Sequence, residues 1–259
     1  NRVVATKSGI ALTYDSGTQT WSAATEATSD NSHPIAYTTY DNLGETLTSQ
    51  SYDGDTVSIT TTDGVPVAPD ASLLRSETTM SYDALGRVYK TSLYSVDPSD
   101  GTVSSGSIDT NTYYDAVGQV LETITSGAAA TKYSYDGAGR VTTVYTTDGG
   151  AVDNGGTPEL SWAASRNVGD DVVLQQVEYT YDADGNVLMT TTRQRFDDDG
   201  NTTDALGTPT SGTAARVSYA TNYYDAAGRI TASVNIGTNA GTAYTRPSSV
   251  PSRSDTLLV

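Results

Sequence analysis

Carboxylates are the chemically capable side chains this sequence supplies in number: 31 Asp and Glu stand against 14 Lys and Arg, for a formal net charge of −17. Some are clustered, at Asp197-Asp198-Asp199, at Asp170-Asp171 and at Asp182 with Asp184. Glycoside hydrolases set two carboxylates across a cleft, so these groups are the first candidates for acid–base chemistry. Acids spread over turn sequences form such pairs by chance, however, and no catalytic site is expected. Calcium is the chemical alternative. Asp182, Asp184 and Asn186 surround Gly185, and Asp197, Asp199 and Asn201 surround Gly200, placing hard oxygen donors at tight glycine turns. Calcium takes about six to eight oxygens, and neither stretch completes the loop that ends in a bidentate glutamate. The expectation is therefore solvated turns with no cofactor, calcium being the alternative at these six residues.

Nucleophilic chemistry has less to build on. The single histidine, His33, lies in Asp30-Asn31-Ser32-His33-Pro34 and reads as a loop residue. A serine or cysteine nucleophile needs a base oriented against it, and the chain has no cysteine at all. Disulfides, thiol catalysis and Cys-based zinc sites are thereby excluded. No phosphate loop, dinucleotide fingerprint or nucleophile elbow occurs. The charge balance opposes nucleic acid and anionic lipid, which are bound through Lys/Arg patches. No apolar run approaches the roughly 20 residues that span a bilayer, so no direct membrane insertion is expected. Asn201-Thr202-Thr203 is a formal glycosylation sequon.

The elements that carry these acids are set by a repeat. Tyr-Asp-x-x-Gly occurs six times, at Tyr40-Asp41…Gly44, Tyr82-Asp83…Gly86, Tyr114-Asp115…Gly118, Tyr135-Asp136…Gly139, Tyr181-Asp182…Gly185 and Tyr224-Asp225…Gly228. Three copies continue with arginine, at Arg87, Arg140 and Arg229. Tyrosine favours a pleated strand. Aspartate at the first position of a type I turn bonds backbone N–H groups two residues on. Glycine three residues after it fits the left-handed position that closes a hairpin with a bulge. Every residue of the motif thus has a structural task. The aspartates read as turn residues, and the six tyrosines as packing residues.

Tyrosine to tyrosine, the steps are 42, 32, 21, 46 and 43 residues. The shortest holds two strands of about eight residues and two turns; the longer ones add an insert after the outgoing strand. Each insert opens on an Asp-Gly turn, at Asp63-Gly64, Asp100-Gly101, Asp148-Gly149 and Asp199-Gly200. Returning strands are expected at Ser76–Tyr82, Val172–Tyr181 and Val217–Tyr224. The predicted fold is all-β, an antiparallel meander with Tyr-Asp turns on one edge and variable loops on the other. Tyr14-Asp15-Ser16-Gly17, Tyr52-Asp53-Gly54 and Phe196-Asp197-Asp198-Asp199-Gly200 read as degenerate copies. Hydrophobic residues make up 36 %, with 18 Tyr but one Phe and two Trp. Strand faces such as Val141/Thr143/Tyr145 and Thr142/Val144/Thr146 are both mixed. A sheet wetted on both sides is expected rather than a thick sandwich core.

Tyr82-Asp83-Ala84-Leu85-Gly86-Arg87-Val88, Tyr135-Asp136-Gly137-Ala138-Gly139-Arg140-Val141 and Tyr224-Asp225-Ala226-Ala227-Gly228-Arg229-Ile230 resemble the YD repeats of the RHS/YD-repeat proteins. The resemblance runs from about Tyr37 to Ala232. It implies N-terminal strands or a degenerate repeat over 1–36 and a repeat array over 37–232. A C-terminal loop or strand over 233–259 would lead into a continuation, so the chain reads as a piece of a longer polypeptide. The resemblance also implies an extracellular or cell-surface protein whose strands form a curved sheet in a hollow β shell. In bacterial RHS toxins and insecticidal toxin complexes that shell holds an unfolded toxic segment; teneurins carry a related one in cell adhesion. No match to the family's self-cleaving core motif is found. The expected function is a structural, non-enzymatic length of shell. Its partners would be the rest of its own polypeptide, an enclosed toxin segment or neighbouring copies. The alternative is an adhesive or fibre-forming scaffold that acts through the loop edge and binds glycans.

Overall fold

A computed structural model describes residues 4–9, 12–23, 33–55, 57–150, 162–199, 202–210 and 212–253. The chain divides into two compact units, Asn1–Thr110 and Asn111–Val259. The first contains β1 (Ala5–Lys7), β2 (Leu12–Asp15), β3 (Thr20–Ala23), β4 (Ile35–Tyr40), β5 (Thr46–Tyr52), β6 (Thr61–Thr62), β7 (Val65–Pro66), β8 (Leu74–Tyr82) and β9 (Val88–Val96). The chain passes into the second through β10 (Val103–Tyr114) and continues with β11 (Val120–Thr125), β12 (Ala130–Tyr135), β13 (Val141–Thr147), β14 (Val173–Tyr181), β15 (Val187–Arg195), β16 (Ala215–Tyr224) and β17 (Ile230–Gly237).

Neighbour order follows the sequence. In the first unit the sheet runs β1-β4-β5-β8-β9, with β2-β3 and β6-β7 as separate two-stranded ribbons. In the second it runs linearly from β11 to β17. The strand pairs are antiparallel, so the fold is the all-β meander expected from the repeat. Each Tyr-Asp turn joins sequential strands, and within each unit these turns share one sheet edge while the inserts occupy the other.

The inserts do more than connect. Strand centres are rich in Thr, Ser, Gln and Tyr, and most of their residues are half-buried on both faces. Apolar clusters form instead at the loop edge, where strands begin or end. In the first unit Ile35, Tyr52 and Leu74 are buried, with Val57, Ile59, Ala68 and Leu73 of the insert packed on them. In the second, Val173 and Ala215 open their strands under Val168 and Leu206. A third cluster, Tyr223, Val234 and Ile236, lies on the last hairpin with Tyr244 packed against it. The described parts of the inserts at 57–73, 162–171 and 202–210 therefore fold back over the sheet. Their carbonyls must find donors when covered, and long side chains of the strands supply them. Lys7 Nζ donates to Val57 O at 2.7 Å, Arg193 to Gly207 O at 2.7 Å, and Arg195 to Thr202 O at 2.6 Å. The Gln176 side-chain oxygen accepts from Leu206 N–H at 2.8 Å.

Two returning strands start two residues earlier than expected, β8 at Leu74 and β16 at Ala215, where these residues are buried, while β14 starts at Val173, one residue later than expected. The degenerate copies differ from the motif. Tyr14–Gly17 does enter a hairpin, but its positive φ falls on Gln19 (53°). Tyr52-Asp53-Gly54 makes no hairpin, because the backbone at Gly54 lies against His33: a Cβ there would stand 2.1 Å from His33 O. Asp199 N–H bonds Phe196 O in a local turn that leads into the 202–210 loop rather than into a strand. His33 is itself buried, with Nδ1 3.2 Å from Asp55 Oδ1, which its polar sequence context did not indicate.

Candidate functional site

All six motif aspartates adopt one arrangement. Asp N–H donates to the carbonyl four residues on (Asp41 to Glu45, Asp83 to Arg87, Asp115 to Gln119, Asp136 to Arg140, Asp182 to Asn186, Asp225 to Arg229), and the glycine N–H returns to the Asp carbonyl. Each Asp Oδ1 accepts N–H groups two and four residues on, at 2.8–3.1 Å. The glycines take φ of 99°, 75°, 95°, 82°, 90° and 74° in chain order, a left-handed conformation that costs a side-chain-bearing residue about 1–2 kcal/mol. A one-residue bulge sits at the tyrosine, between Thr39/Tyr40, Ser81/Tyr82, Ser134/Tyr135, Thr180/Tyr181 and Tyr223/Tyr224.

Two side chains link consecutive turns. The tyrosine hydroxyl donates to the first carbonyl of the strand after the preceding turn: Tyr82 to Thr46 O (3.0 Å), Tyr135 to Val120 O (2.8 Å), Tyr181 to Val141 O (2.6 Å) and Tyr224 to Val187 O (2.9 Å). At two copies the residue after the glycine reaches the following turn. Arg140 NH1 donates to Asp182 O at 2.9 Å, its guanidinium lying 4.7 Å from the centre of the Tyr181 ring, and Gln119 Nε2 donates to Gly139 O at 3.3 Å. The arginines also grip their own aspartate, Nε to Oδ2 at 2.7 Å in Arg87–Asp83, Arg140–Asp136 and Arg229–Asp225. Asn186 replaces arginine at Asp182, its amide donating to Oδ2 at 2.9 Å. This linking position was not evident from the sequence, where Glu45, Arg87, Gln119, Arg140, Asn186 and Arg229 share polarity rather than identity.

These donors hold the carboxyls of Asp41, Asp83, Asp136, Asp182 and Asp225 below the usual range. The chief cause is the arginine side chain at Asp83 and Asp225, the N–H four residues on at Asp41 and Asp136, and the Asn186 amide at Asp182. A carboxylate so stabilised is a poor general base. The calcium candidates divide. Asp182 is committed to its turn, and Asp184 contributes its backbone N–H to it. Asp199 pairs with Arg195 at 3.1 Å and accepts from the Thr202 hydroxyl, while Asp197 is exposed and Asn201 lies outside the described residues. Among the described residues no group of three or more His, Asp or Glu converges as a metal site would need.

A second arrangement had no expectation attached. Glu122, Lys132 and Asp171 are 1 %, 2 % and 2 % exposed. Lys132 stands opposite Glu122 in the β11–β12 register. Its ammonium donates to Ala164 O (2.9 Å), Asn167 O (3.1 Å) and Asp171 Oδ1 (2.8 Å), fastening residues 162–171 to the sheet. Asp170, its sequence neighbour, is exposed. The signal present in the sequence was alternation: Glu122 and Lys132 each lie two residues from an apolar position, Ile124 and Ala130, on a buried strand face. Beside Lys132, a cleft of about 370 Å³ opens between the 162–171 segment and Asp204-Ala205, with Tyr145 and Ser134 in its lining.

The RHS Repeat model matches residues 114–151, a span that holds the Asp115 and Asp136 turns. No curated protein matches the chain. Among solved structures, the TcdB2-TccC3-Cdc42 crystal structure shares 17 % identity over 78 % of this chain and 9 % of that one, with a TM-score of 0.35. TcdB2-TccC3 gives 18 %, 78 %, 9 % and 0.34. A mutant Tc holotoxin pore of Photorhabdus luminescens gives 15 %, 82 %, 12 % and 0.27. The chain thus spans about a tenth of these structures' length. Two of the six hairpins of one geometry lie inside the matched span, and the other four repeat that geometry outside it, consistent with an RHS/YD-repeat protein.

Proposed function

We propose that this chain is a length of wall in an extracellular RHS/YD-repeat shell that encloses or displays other parts of a larger polypeptide and performs no catalysis itself. The observation that carries this reading is the linkage between turns. The hydroxyls of Tyr82, Tyr135, Tyr181 and Tyr224 and the side chains of Gln119 and Arg140 reach a neighbouring repeat, so these motif residues serve to propagate the sheet rather than to converge on a substrate. Their saturated carboxylates support the same view. The shell's contents would be a toxic segment of the same polypeptide, or its neighbours further copies. Adhesion through the loop edge is less well supported, because Val57, Ile59, Ala68 and Leu73 of one insert and Val168 and Leu206 of two others pack onto the sheet. Cryo-electron microscopy of the intact parent protein tests the proposal. A closed shell with unassigned density inside is expected. An open blade or a polymer joined through the inserts would overturn it.

A further inference from the structure

We propose that the segment Trp162–Asp171 is a pH-released cap, held on the sheet while Glu122 is protonated and loosened when Glu122 ionises. This goes beyond the wall reading and does not depend on it. An ammonium has three N–H donors, and those of Lys132 are all directed at the cap: two go to the Ala164 and Asn167 carbonyls and one to Asp171. The other sheet-to-cap bond described is Trp162 Nε1 to Tyr114 O at 2.9 Å. Asp171 O also accepts from Asp204 N–H at 3.0 Å, and Val168 of the cap packs with Val173, Leu206 and Ala215; Lys132 is the main polar fastener, and it lies between two buried carboxyls.

While Glu122 is neutral, the site holds one ammonium and one carboxylate, a compensated pair. Ionisation adds a second carboxylate directly across the strand pair from Lys132, in a place water does not reach. Drawing the ammonium toward Glu122 takes hydrogen bonds from the cap; leaving it in place strands a buried charge. Either response weakens closure. Burial pushes the Glu122 carboxyl up, Lys132 opposes the rise and Asp171 adds to it, leaving it at about 7. Asp204, Tyr133 and Tyr145 line the cleft beside Lys132. Tyr113 of β10 has its phenol raised by burial and by Glu122, so it stays neutral near pH 7. Arg166 of the cap lies over the Trp162 ring, 4.5 Å from its centre. The chain's one histidine, His33, belongs to the first unit.

The sign follows from linkage. A carboxyl whose value is raised in the closed state favours closure fully at low pH, and that contribution is lost as pH rises through the closed-state value. Taking about 7 closed against the ordinary 4.5 open, the cap-opening constant rises about tenfold between pH 6 and pH 8. Hydrogen–deuterium exchange of the full chain, corrected for intrinsic rates, reads this directly. Protection in 162–171 should fall about tenfold over that interval while the 182–186 turn is unchanged. Glu122→Gln should keep the cap protected at both pH values. Unchanged wild-type protection, or the same fall in Glu122→Gln, overturns the proposal. If Glu122→Gln does not fold, Asp171→Asn serves instead. Removing the second carboxylate should move the fall to lower pH, and a fall at unchanged pH overturns the proposal equally.

Discussion

In the first unit the long insert is held on its sheet mainly by Ile35, Tyr52 and Leu74, with Val57, Ile59, Ala68 and Leu73 packed over them. In the second, the insert that follows β13 has one buried apolar contact, Val168 on Val173 and Ala215, and adds to it a polar fastening by Lys132, Asp171 and the carbonyls of Ala164 and Asn167. The Tyr-Asp turns of the two units are alike in geometry, so the difference lies in how each insert is fastened. Apolar burial is indifferent to pH and tolerant of small adjustments. A buried ion pair requires every member, and its strength follows the protonation of its neighbours. One repeat design thus carries both a permanent fastening and a conditional one.

Substitutions at the two fastenings test the contrast most severely. Lys132→Met leaves Asp171 buried without its cation and should destabilise the second unit by about 3–5 kcal/mol. Chemical denaturation should show recovery when Asp171→Leu is added, since neither charge then remains. Leu74→Ala should cost the first unit about 2–5 kcal/mol, with a loss that is the same at pH 6 and pH 8. A pH-dependent loss there would blur the distinction between the units.

The shared edge should respond equally in both units. Gly139→Val forces a β-branched residue to a φ of 82°, with a Cβ 3.1 Å from Gln119 Nε2, and should cost about 2 kcal/mol or more by thermal denaturation. Gly86→Val is its counterpart in the first unit. Smaller still, Tyr181→Phe keeps the ring and removes the hydroxyl donated to Val141 O, at about 1 kcal/mol. Tyr82→Phe should match it, and a large inequality between them would mean that the linkage differs from one unit to the other. At the bottom of the scale, Arg229→Ala should leave the melting temperature unchanged, as that side chain is 80 % exposed. Arg140→Ala, by contrast, gives up contacts to Asp182 and Tyr181 and should lower it.

The sequence by itself determined the hairpins. Asp136 bonds groups two and four residues away and Gly139 needs only its own φ, so the turn is complete within a few residues of chain and repeats wherever those residues recur. Antiparallel order followed, because such short turns leave no other neighbour within reach. The same local logic failed at Tyr52-Asp53-Gly54, where packing against His33 overrides the turn signal. The fastenings belong to tertiary structure alone. Lys132 and Asp171 are 39 residues apart, and nothing in either neighbourhood distinguishes Asp171 from exposed Asp170. Only the folding-back of an insert decides which acid is enclosed, removes Glu122 from water and turns an ordinary carboxyl into one that titrates near neutrality.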